Sequence, residues 1–266
     1  MSGLRLRLKS APAGRLDLSC LQPAALIALP ADELARAPFE GGALADLFEI
    51  STIADDATLV LQGTTAACDG IGDRLTGGTI IVEGDAGAYA GRHMKNGRID
   101  IRGSAGAWLG AGMSGGLITV QGGAGDFVGG VLAGEKFGMA GGTIRVGGNI
   151  GDRAGDRMRR GTIVVKGKTG AAAGSRMAGG TIWAEGGFGV GPGPLMRRGT
   201  LIGPSADRLL STFSDCGKHD MVFLRLISRH VAETLGPLSP PALPAQVRRY
   251  AGDMATIGKG ELLITG

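Results

Sequence analysis

Few residues in this 266-residue chain have the types and spacing that catalysis requires. The histidines are His93, His219 and His230, and only Cys216 and His219 have the spacing of half a metal site. Because zinc sites in proteins use three or four ligands and no second pair is suitably spaced, we expect no metal site. The sequence also lacks a nucleophile turn of the Gly-x-Ser-x-Gly type, a phosphate-binding loop and a cluster of carboxylates. We therefore expect no catalytic residue in this chain.

The basic side chains are more informative about function than the histidines and cysteines. Between Arg92 and Arg198 there are 15 lysines and arginines against 6 aspartates and glutamates, a surplus of nine. Many of them flank regularly spaced methionines, and stacking would bring them to one surface, which we call the basic edge. Such an edge fits a solvated face, salt bridges to a partner, or a track for an anionic ligand. Its residues are Arg92, His93, Lys95, Arg157, Arg159, Arg160, Arg176, Arg197 and Arg198.

The central part of the chain is a repeat, which explains why these residues recur. From Thr79, the unit TIIVEGDAGAYAGRHMKNG is followed by RIDIRGSAGAWLGAGMSGG, and five copies are 19 residues long. A weaker copy from Thr58 has two extra residues, and the copy from Leu117 has seven. The alternation in T-I-x-V predicts a short strand, and 19 residues are too few for a strand plus a helix. The sequence therefore predicts an all-β fold, a right-handed parallel β-helix of about seven 19-residue coils.

Other repeat architectures fit the spacing less well. A barrel or a propeller needs hairpin turns and longer strands, with about 40 residues in each propeller blade. A leucine-rich repeat would carry an L-x-x-L-x-L pattern, which this chain lacks.

Three columns of the repeat carry specific expectations. One offset carries isoleucine, and these side chains should stack inward in one column: Ile80, Ile99, Ile118, Ile144, Ile163 and Ile182. The methionines from Met94 to Met196 share another offset, which Leu75 also occupies, so we expect them to fill the core and not to bind copper. A third offset carries the glycines that close the strands, and these should turn corners by adopting positive φ: Gly84, Gly103, Gly122, Gly148, Gly167 and Gly186.

An aromatic column occupies one more offset of the repeat. Tyr89, Trp108 and Phe127 follow one another in three successive copies, and the column then breaks to Arg153 and Ala172. Because the next residue in each copy is apolar and should point inward, alternation predicts that the aromatic rings point outward. We expect another part of the chain or a partner protein to cover this ladder, since large apolar patches are rarely left open.

The flanks of the repeat are not repetitive. Residues 1–57 contain strand-like text (LRLRLK, RLDLS) and a helical spacing in PADELARAPF, and should cap the first coil. After the repeat, DMVFLRLISRHVAETLG has apolar residues at helical spacing and a stop at Gly236. We therefore expect an N-terminal cap at 1–57, the β-helix at 58–203 and a C-terminal extension with a helix at 204–266.

The composition excludes several classes of protein. The 51 glycines follow no collagen period, and 43% hydrophobic residues argue against disorder. The net charge of +4 comes without basic–aromatic interleaving, so we expect no nucleic-acid partner. No run of about 18 apolar residues and no signal peptide are present, so we expect no membrane association. Cys20, Cys68 and Cys216 are odd in number and far apart, which fits a reducing, cytoplasmic location.

The repeat and both flanks resemble a known family. Coils of this type resemble the C-terminal GXGXG domain of glutamate synthase, and the chain is more similar to the C subunit of formylmethanofuran dehydrogenase. In methylotrophic bacteria the same family supplies the C subunit of the formyltransferase/hydrolase complex. The resemblance rests on ADLFEI before the coils, on T-I-x-V-x-G coils with methionine at a fixed offset, and on RRYAGDMATIGKGELLI at the end. The last is similar to the family's Y-x-GD-x-x-x-x-GKGE terminus, here Tyr250, Gly252, Asp253, Gly258, Lys259, Gly260 and Glu261.

The resemblance implies a non-catalytic scaffold subunit in tetrahydromethanopterin-linked one-carbon metabolism. Such complexes pass a formyl group between pterin and methanofuran-type carriers and release it as formate. The implied partners are hydrolase-like, formyltransferase and accessory chains in a hetero-oligomer, and no cofactor is bound by this chain alone, although a methanofuran-type carrier can contact it within the complex. Two points stay open: whether the complex is hydrolytic or of the dehydrogenase type, and whether the chain is instead a structural GXGXG unit of a glutamate-synthase-like amidotransferase.

Overall fold

The structure is a computed structural model that describes residues 3–266. The described residues are mostly strand and turn, and the helices lie in the two flanks. The helices are Pro23–Ile27 (α1), Ala31–Ala35 (α2), Leu44–Leu47 (α3) and Val222–Leu235 (α4), with a 3-10 turn at Gly236–Leu238. The strands are Gly3–Leu8 (β1), Leu16–Asp17 (β2), Pro38–Phe39 (β3), Gly42–Ala43 (β4), Phe48–Ile53 (β5), Thr58–Gln62 (β6), Cys68–Asp69 (β7), Thr79–Glu83 (β8), Arg98–Ile101 (β9), Leu117–Val120 (β10), Ala140–Val146 (β11), Arg160–Val165 (β12), Ala178–Ala184 (β13), Phe188–Val190 (β14), Arg198–Gly203 (β15), Ala206–Arg208 (β16), Ser214–Asp220 (β17), Gln246–Gly252 (β18) and Lys259–Ile264 (β19).

One large mixed sheet contains the strands of the repeat. Within residues 3–266 it has 13 strands in the order β17-β18-β19-β15-β13-β12-β11-β10-β9-β8-β6-β1-β5. From β6 to β15 the neighbours are parallel and pair at equal repeat positions, as in Ile80 with Ile99 and Ile99 with Ile118. Consecutive repeats therefore lie side by side at the strand spacing of about 4.8 Å.

The repeats also meet at a second point, away from the main sheet. Isolated parallel bridges join residues that lie seven positions after the first residue of each repeat copy. The same repeats are therefore in register along two separate lines of the chain. The bridges link Ala86, Ala105, Ala124, Ile150 and Thr169 in that order.

The inward columns of isoleucine and methionine are confirmed. The six isoleucines pair in register between neighbouring strands and are 0% exposed, as are the six methionines. Leu75, at the methionine offset of the weak first copy, is 1% exposed. Together these columns form the core of the repeat, where the flexible thioethers fill irregular gaps between branched side chains.

The explanation given for the strand-closing glycines is wrong. None of the six residues from Gly84 to Gly186 at this offset has positive φ. Their role is close approach between repeats: a Cβ on Gly103 would lie 2.6 Å from the Gly84 carbonyl oxygen. A Cβ on Gly186 would lie 2.6 Å from the carbonyl carbon of Gly167. Glycine is required here because two backbones pass within van der Waals contact, not because the chain turns left-handed.

Both flanks add strands to the sheet. β1 pairs in parallel with β6 ahead of the first repeat, and β5 pairs antiparallel with β1. At the other end β19 pairs in parallel with β15 after the last repeat, and β18 and β17 follow it antiparallel. The predicted C-terminal helix is α4, which ends at Gly236 with φ 55° and packs its buried face on the outer side of the sheet. The packed residues are Leu224, Ile227, Val231 and Leu235 on α4, and Val164, Trp183, Ile202 and Leu263 on the sheet.

The isoleucine column gives a direct test of this core. We expect Ile144→Asp to prevent folding, because the carboxylate would be buried without a partner in a column where every neighbour is apolar. Ile144→Val is the matched control and should cost about 1 kcal/mol. Circular dichroism and the yield of monodisperse protein measure the difference, and a folded, stable Ile144→Asp chain would contradict this packing.

Candidate functional site

The three aromatic residues form one continuous stack. The ring centroids of Tyr89 and Trp108 are 5.3 Å apart at 17°, and those of Trp108 and Phe127 are 5.1 Å apart at 4°. All three residues have left-handed backbones, with φ of 64°, 58° and 59°. The ring planes therefore face one another along the direction of the repeats. Each side chain is half-buried, so its coverage by a partner remains a prediction.

An arginine closes each end of this stack. The guanidinium carbon of Arg92 lies 5.5 Å from the Tyr89 centroid, and that of Arg153 lies 5.0 Å from the Phe127 centroid. Arg153 occupies the aromatic offset in the next repeat, so the stack continues through a cation where the sequence suggested a break. Each contact of this kind contributes about 0.5–1 kcal/mol when exposed. The ladder is thus stabilised by its own chain.

Part of the basic edge is neutralised within the chain. Arg92 donates two hydrogen bonds to Asp73, at 2.6 and 3.0 Å, and Arg176 makes the same pair of bonds to Asp156. The hydrogen bond to Asp73 raises the pKa of Arg92. Asp156 is 1% exposed and also accepts from Arg153 at 3.0 Å.

The histidine of the edge is also paired. His93 Nε2 lies 2.7 Å from Glu135 Oε1, and Glu135 belongs to the extra residues of the copy that starts at Leu117. These contacts fix the edge of the repeats rather than offering free charge to a ligand.

The remaining cations of the basic edge have no acidic partner among residues 3–266. Arg159 stacks on Phe137, with 4.4 Å between its guanidinium carbon and the ring centroid. The others lie within three residues of the start of a repeat strand. They are Lys95, Arg157, Arg160, Arg197 and Arg198.

Sequence reasoning missed one member of this surface. Lys259 is the register partner of Arg198, because β19 lies next to β15. The two residues are 61 positions apart in the chain, so the repeat period could not predict that they are neighbours. The GKGE motif was the only sequence feature that drew attention to Lys259. Exposed apolar side chains border these cations: Leu195, Met254 and Ile257 are 47–50% exposed.

A buried carboxylate anchors the turn that carries this surface. Asp253 is 3% exposed and accepts the backbone N–H groups of Leu195 and Ala255, both at 2.8 Å. Burial alone would raise the pKa of Asp253, but hydrogen bonds from Thr212, Ala255 and Leu195 outweigh it and lower the pKa below its usual range. Thr256 adds a 2.7 Å hydrogen bond to the Met196 carbonyl. The C-terminal motif therefore closes the last repeat.

A groove of about 660 Å³ runs along the outer face of the sheet beside the segment that follows α4. Its floor includes Arg145, which is buried, lies 3.1 Å from Glu185 Oε1 and donates to the Leu238 carbonyl at 2.9 Å. Burial lowers the pKa of Arg145. This arginine ties the segment after α4 to the repeats, and its Nη1 also donates to the Val146 carbonyl at 2.6 Å.

The described residues show no group of three or more histidine, cysteine or acidic side chains placed to hold a metal. Where the sequence suggested half a metal site, His219 Nε2 lies 2.9 Å from the carbonyl oxygen of Cys216, within β17. In the same range of residues, no helix has the length and apolar character needed to cross a bilayer.

This chain is similar to a known protein sequence and to a chain in a known crystal structure. The C subunit of the formyltransferase/hydrolase complex Fhc from Methylorubrum extorquens is 45% identical over 56 residues, 21% of each protein. A chain in the crystal structure of the formyltransferase/hydrolase complex FhcABCD from the same organism, in complex with methylofuran, is 40% identical and superposes with a TM-score of 0.85. That likeness covers 98% of this chain and 99% of the other. This chain belongs to the family of formyltransferase/hydrolase complex C subunits.

The two similarities cover different shares of the chain. The sequence match spans about a fifth of the length of the Fhc C subunit, whereas the structural match includes both flanks of the repeat. No family model matches the chain. Within this C-subunit family, the flanking elements are therefore as much a part of the fold as the repeats.

The anchoring carboxylate gives a second prediction. Asp253→Asn should destabilise the chain by about 2 kcal/mol, since hydrogen bonds to a charged group lose strength when the charge is removed. Because the folded state lowers the pKa of Asp253, its contribution is present above the ordinary pKa near 3.8 and is lost as pH falls through the folded value.

Urea unfolding at pH 7 and pH 3 measures this effect. The wild type should lose more stability than Asp253→Asn between the two pH values. Asp207→Asn is the control, because Asp207 is exposed and pairs only with Lys168 at the surface. Equal pH dependence in wild type and Asp253→Asn would show that Asp253 does not anchor the turn through its charge.

Proposed function

We propose that this chain is the non-catalytic C subunit of a cytoplasmic formyltransferase/hydrolase complex. In this complex a formyl group passes between pterin and methanofuran-type carriers and is released as formate. The observation that carries the proposal is the likeness to a chain of FhcABCD over 98% of this chain, at 40% identity. That likeness extends through both flanks of the repeat, which a bare GXGXG domain of the glutamate synthase type would not share.

We further propose that the repeats wind into a right-handed parallel β-helix that acts as a scaffold. Two parallel lines of pairing, one in the main sheet and one through the isolated bridges, support this arrangement. In this interpretation residues 1–57 cap the first coil and residues 204–266 close the last. The strands β1 and β19, which flank the repeat strands, support that division.

The basic edge is the surface that we propose contacts the rest of the complex. Its unpaired cations lie beside the exposed apolar side chains of Leu195, Met254 and Ile257. A mixed apolar and basic surface matches a folded acidic partner, because such a partner can bury the apolar side chains as well as pair with the cations. A soluble polyanion would pair with the cations only. The aromatic ladder is proposed as a second contact. A methanofuran-type carrier is proposed to bind mainly to other chains and to touch this one only at the basic edge.

The scaffold role predicts that the isolated chain has no turnover. Purified chain assayed for formyl transfer and for hydrolysis of the formyl carrier should give only the background rate. The complex reassembled from this chain and the remaining subunits should be active in the same assays. Activity of the isolated chain that disappears on changing one of its residues would overturn the non-catalytic role.

Charge reversal tests the basic edge. The triple variant Arg160→Glu, Arg197→Glu, Arg198→Glu should weaken assembly, with a smaller defect at high salt, because exposed charge interactions are screened beyond a Debye length of about 8 Å at physiological salt. The matched control reverses Arg36, Arg208 and Arg229, which are exposed elsewhere. Size-exclusion chromatography of the complex measures assembly.

The possible results separate three roles for the edge. Loss of assembly in the first variant alone supports partner docking. Normal assembly with slower turnover, relieved by high salt, would instead assign the edge to an anionic carrier. Unchanged assembly and kinetics would show that the edge binds neither a partner nor a carrier and is only a solvated face.

A further inference from the structure

The edge strand β5 is the outermost strand at the N-terminal end of the main sheet. Among residues 3–266 it pairs only with β1, and its other side carries no strand. Its register with β1 is unbroken over six residues, from Phe48 to Ile53. A regular edge of this kind offers unpaired backbone groups to another chain.

The hydrogen-bonding pattern identifies those groups. Lys9 N–H donates to the Leu47 carbonyl at 3.0 Å, which makes this pair a hydrogen-bonded one in the antiparallel ladder. Hydrogen-bonded and non-hydrogen-bonded pairs alternate, so Glu49 and Ser51 also direct their N–H and C=O toward β1. Ile50 and Thr52 therefore direct theirs outward, away from the sheet.

An apolar cavity of about 580 Å³ lies beside the same strand. Ile50 and Thr52 stand opposite Leu6 and Leu4, so their side chains point to the side of β1 that faces the core. The cavity opens on that side, next to Leu29, which is 37% exposed. The other lining residues are Leu4, Ile27, Ala31, Leu34, Ala35, Ile50, Ser51 and Thr52.

The opposite end of the described sheet differs in each of these respects. There the edge strand is β17, whose pairing with β18 is interrupted between Asp215 and Lys218, and whose Gly217 has φ of 82°. Its side chains are mostly exposed and polar. Bulges and charges are the usual means by which proteins protect an edge from further pairing. Of these two ends, the β5 end combines regular backbone, open donors and acceptors, and an apolar cavity.

We propose that β5 accepts an extended segment of another subunit, which adds a strand to the sheet. This inference rests on the proposed role of the chain as a complex subunit. The added segment would place apolar side chains at alternate positions in the cavity, and polar or basic ones on the other face near Glu49.

Charge favours a different chain over a second copy. Glu49 Oε2 forms only an exposed ion pair with Arg7 Nη1, at 3.8 Å and without a hydrogen bond, and the Glu49 side chain is 62% exposed. The carboxylate is therefore available to a lysine or arginine on the added strand. A second copy would bring the sequence FEISTI, whose only charged residue is another glutamate.

Two variants at one residue separate backbone pairing from side-chain contact. Thr52→Pro removes an outward N–H that β1 does not use, so the edge strand should still form. Thr52→Val keeps the N–H and a β-branched shape. We expect the other subunits of the complex to bind the proline variant at least about tenfold more weakly, and the valine variant within about twofold of wild type. Thermal melting of the isolated variants verifies folding.

Hydrogen exchange of the wild-type chain provides a measurement that needs no variant. Exchange in the peptide that contains residues 48–53 should slow when the chain enters the complex. Equal exchange in the free and assembled chain would overturn strand addition, as would wild-type affinity of a folded Thr52→Pro chain. Protection of the same peptide in a dimer of the chain alone would assign the edge to a second copy and reject our proposal. Failure of the wild-type chain to join the complex would instead reject the proposed function.

Discussion

Parallel pairing between equal positions of consecutive repeats is the interaction on which the rest of this chain depends. It places isoleucine on isoleucine and methionine on methionine, so each inward column buries itself against its own copy in the next repeat. A shift by one residue would turn the isoleucine column to the outer face. The same register stacks the three aromatic rings and brings Arg92 onto Asp73, one repeat apart. Core, ladder and surface ion pairs are thus consequences of one alignment.

This alignment also explains how much of the fold could be predicted from the sequence. A column that recurs at a fixed offset needs no long-range information, which is why the isoleucine and methionine columns were predicted correctly. The helix α4 was predicted from the spacing of its own apolar residues, which is also local information. The glycines from Gly84 to Gly186 were placed at the right point for the wrong reason, because a strand closure and a close approach between repeats use the same residue. The repeat pattern predicts where in each repeat a residue lies. It does not predict how closely the backbones of neighbouring repeats approach at that residue.

The candidate site was less predictable because ion pairs between neighbouring repeats decide which of its charges are free. Arg92 and Arg176 belong to the basic edge by sequence, but Asp73 and Asp156 neutralise them from neighbouring repeats. Lys259 joins the edge only because the chain end returns beside β15. A count of charges cannot distinguish a free cation from one that is paired, so the sequence overstated the available charge around His93 and missed part of it near the C-terminus.

The strands at the two ends of the sheet give the repeat array a defined length. Because β1 precedes the first repeat strand and β19 follows the last, the number of repeats alone sets the distance between the β5 edge and the basic edge at Arg198. That distance can change only in steps of about 4.8 Å, one strand spacing at a time. The chain thus holds its two ends at a separation that is a whole number of strand spacings. Loss or gain of one 19-residue unit would keep the remaining repeats in register and still move anything bound at one end relative to anything bound at the other.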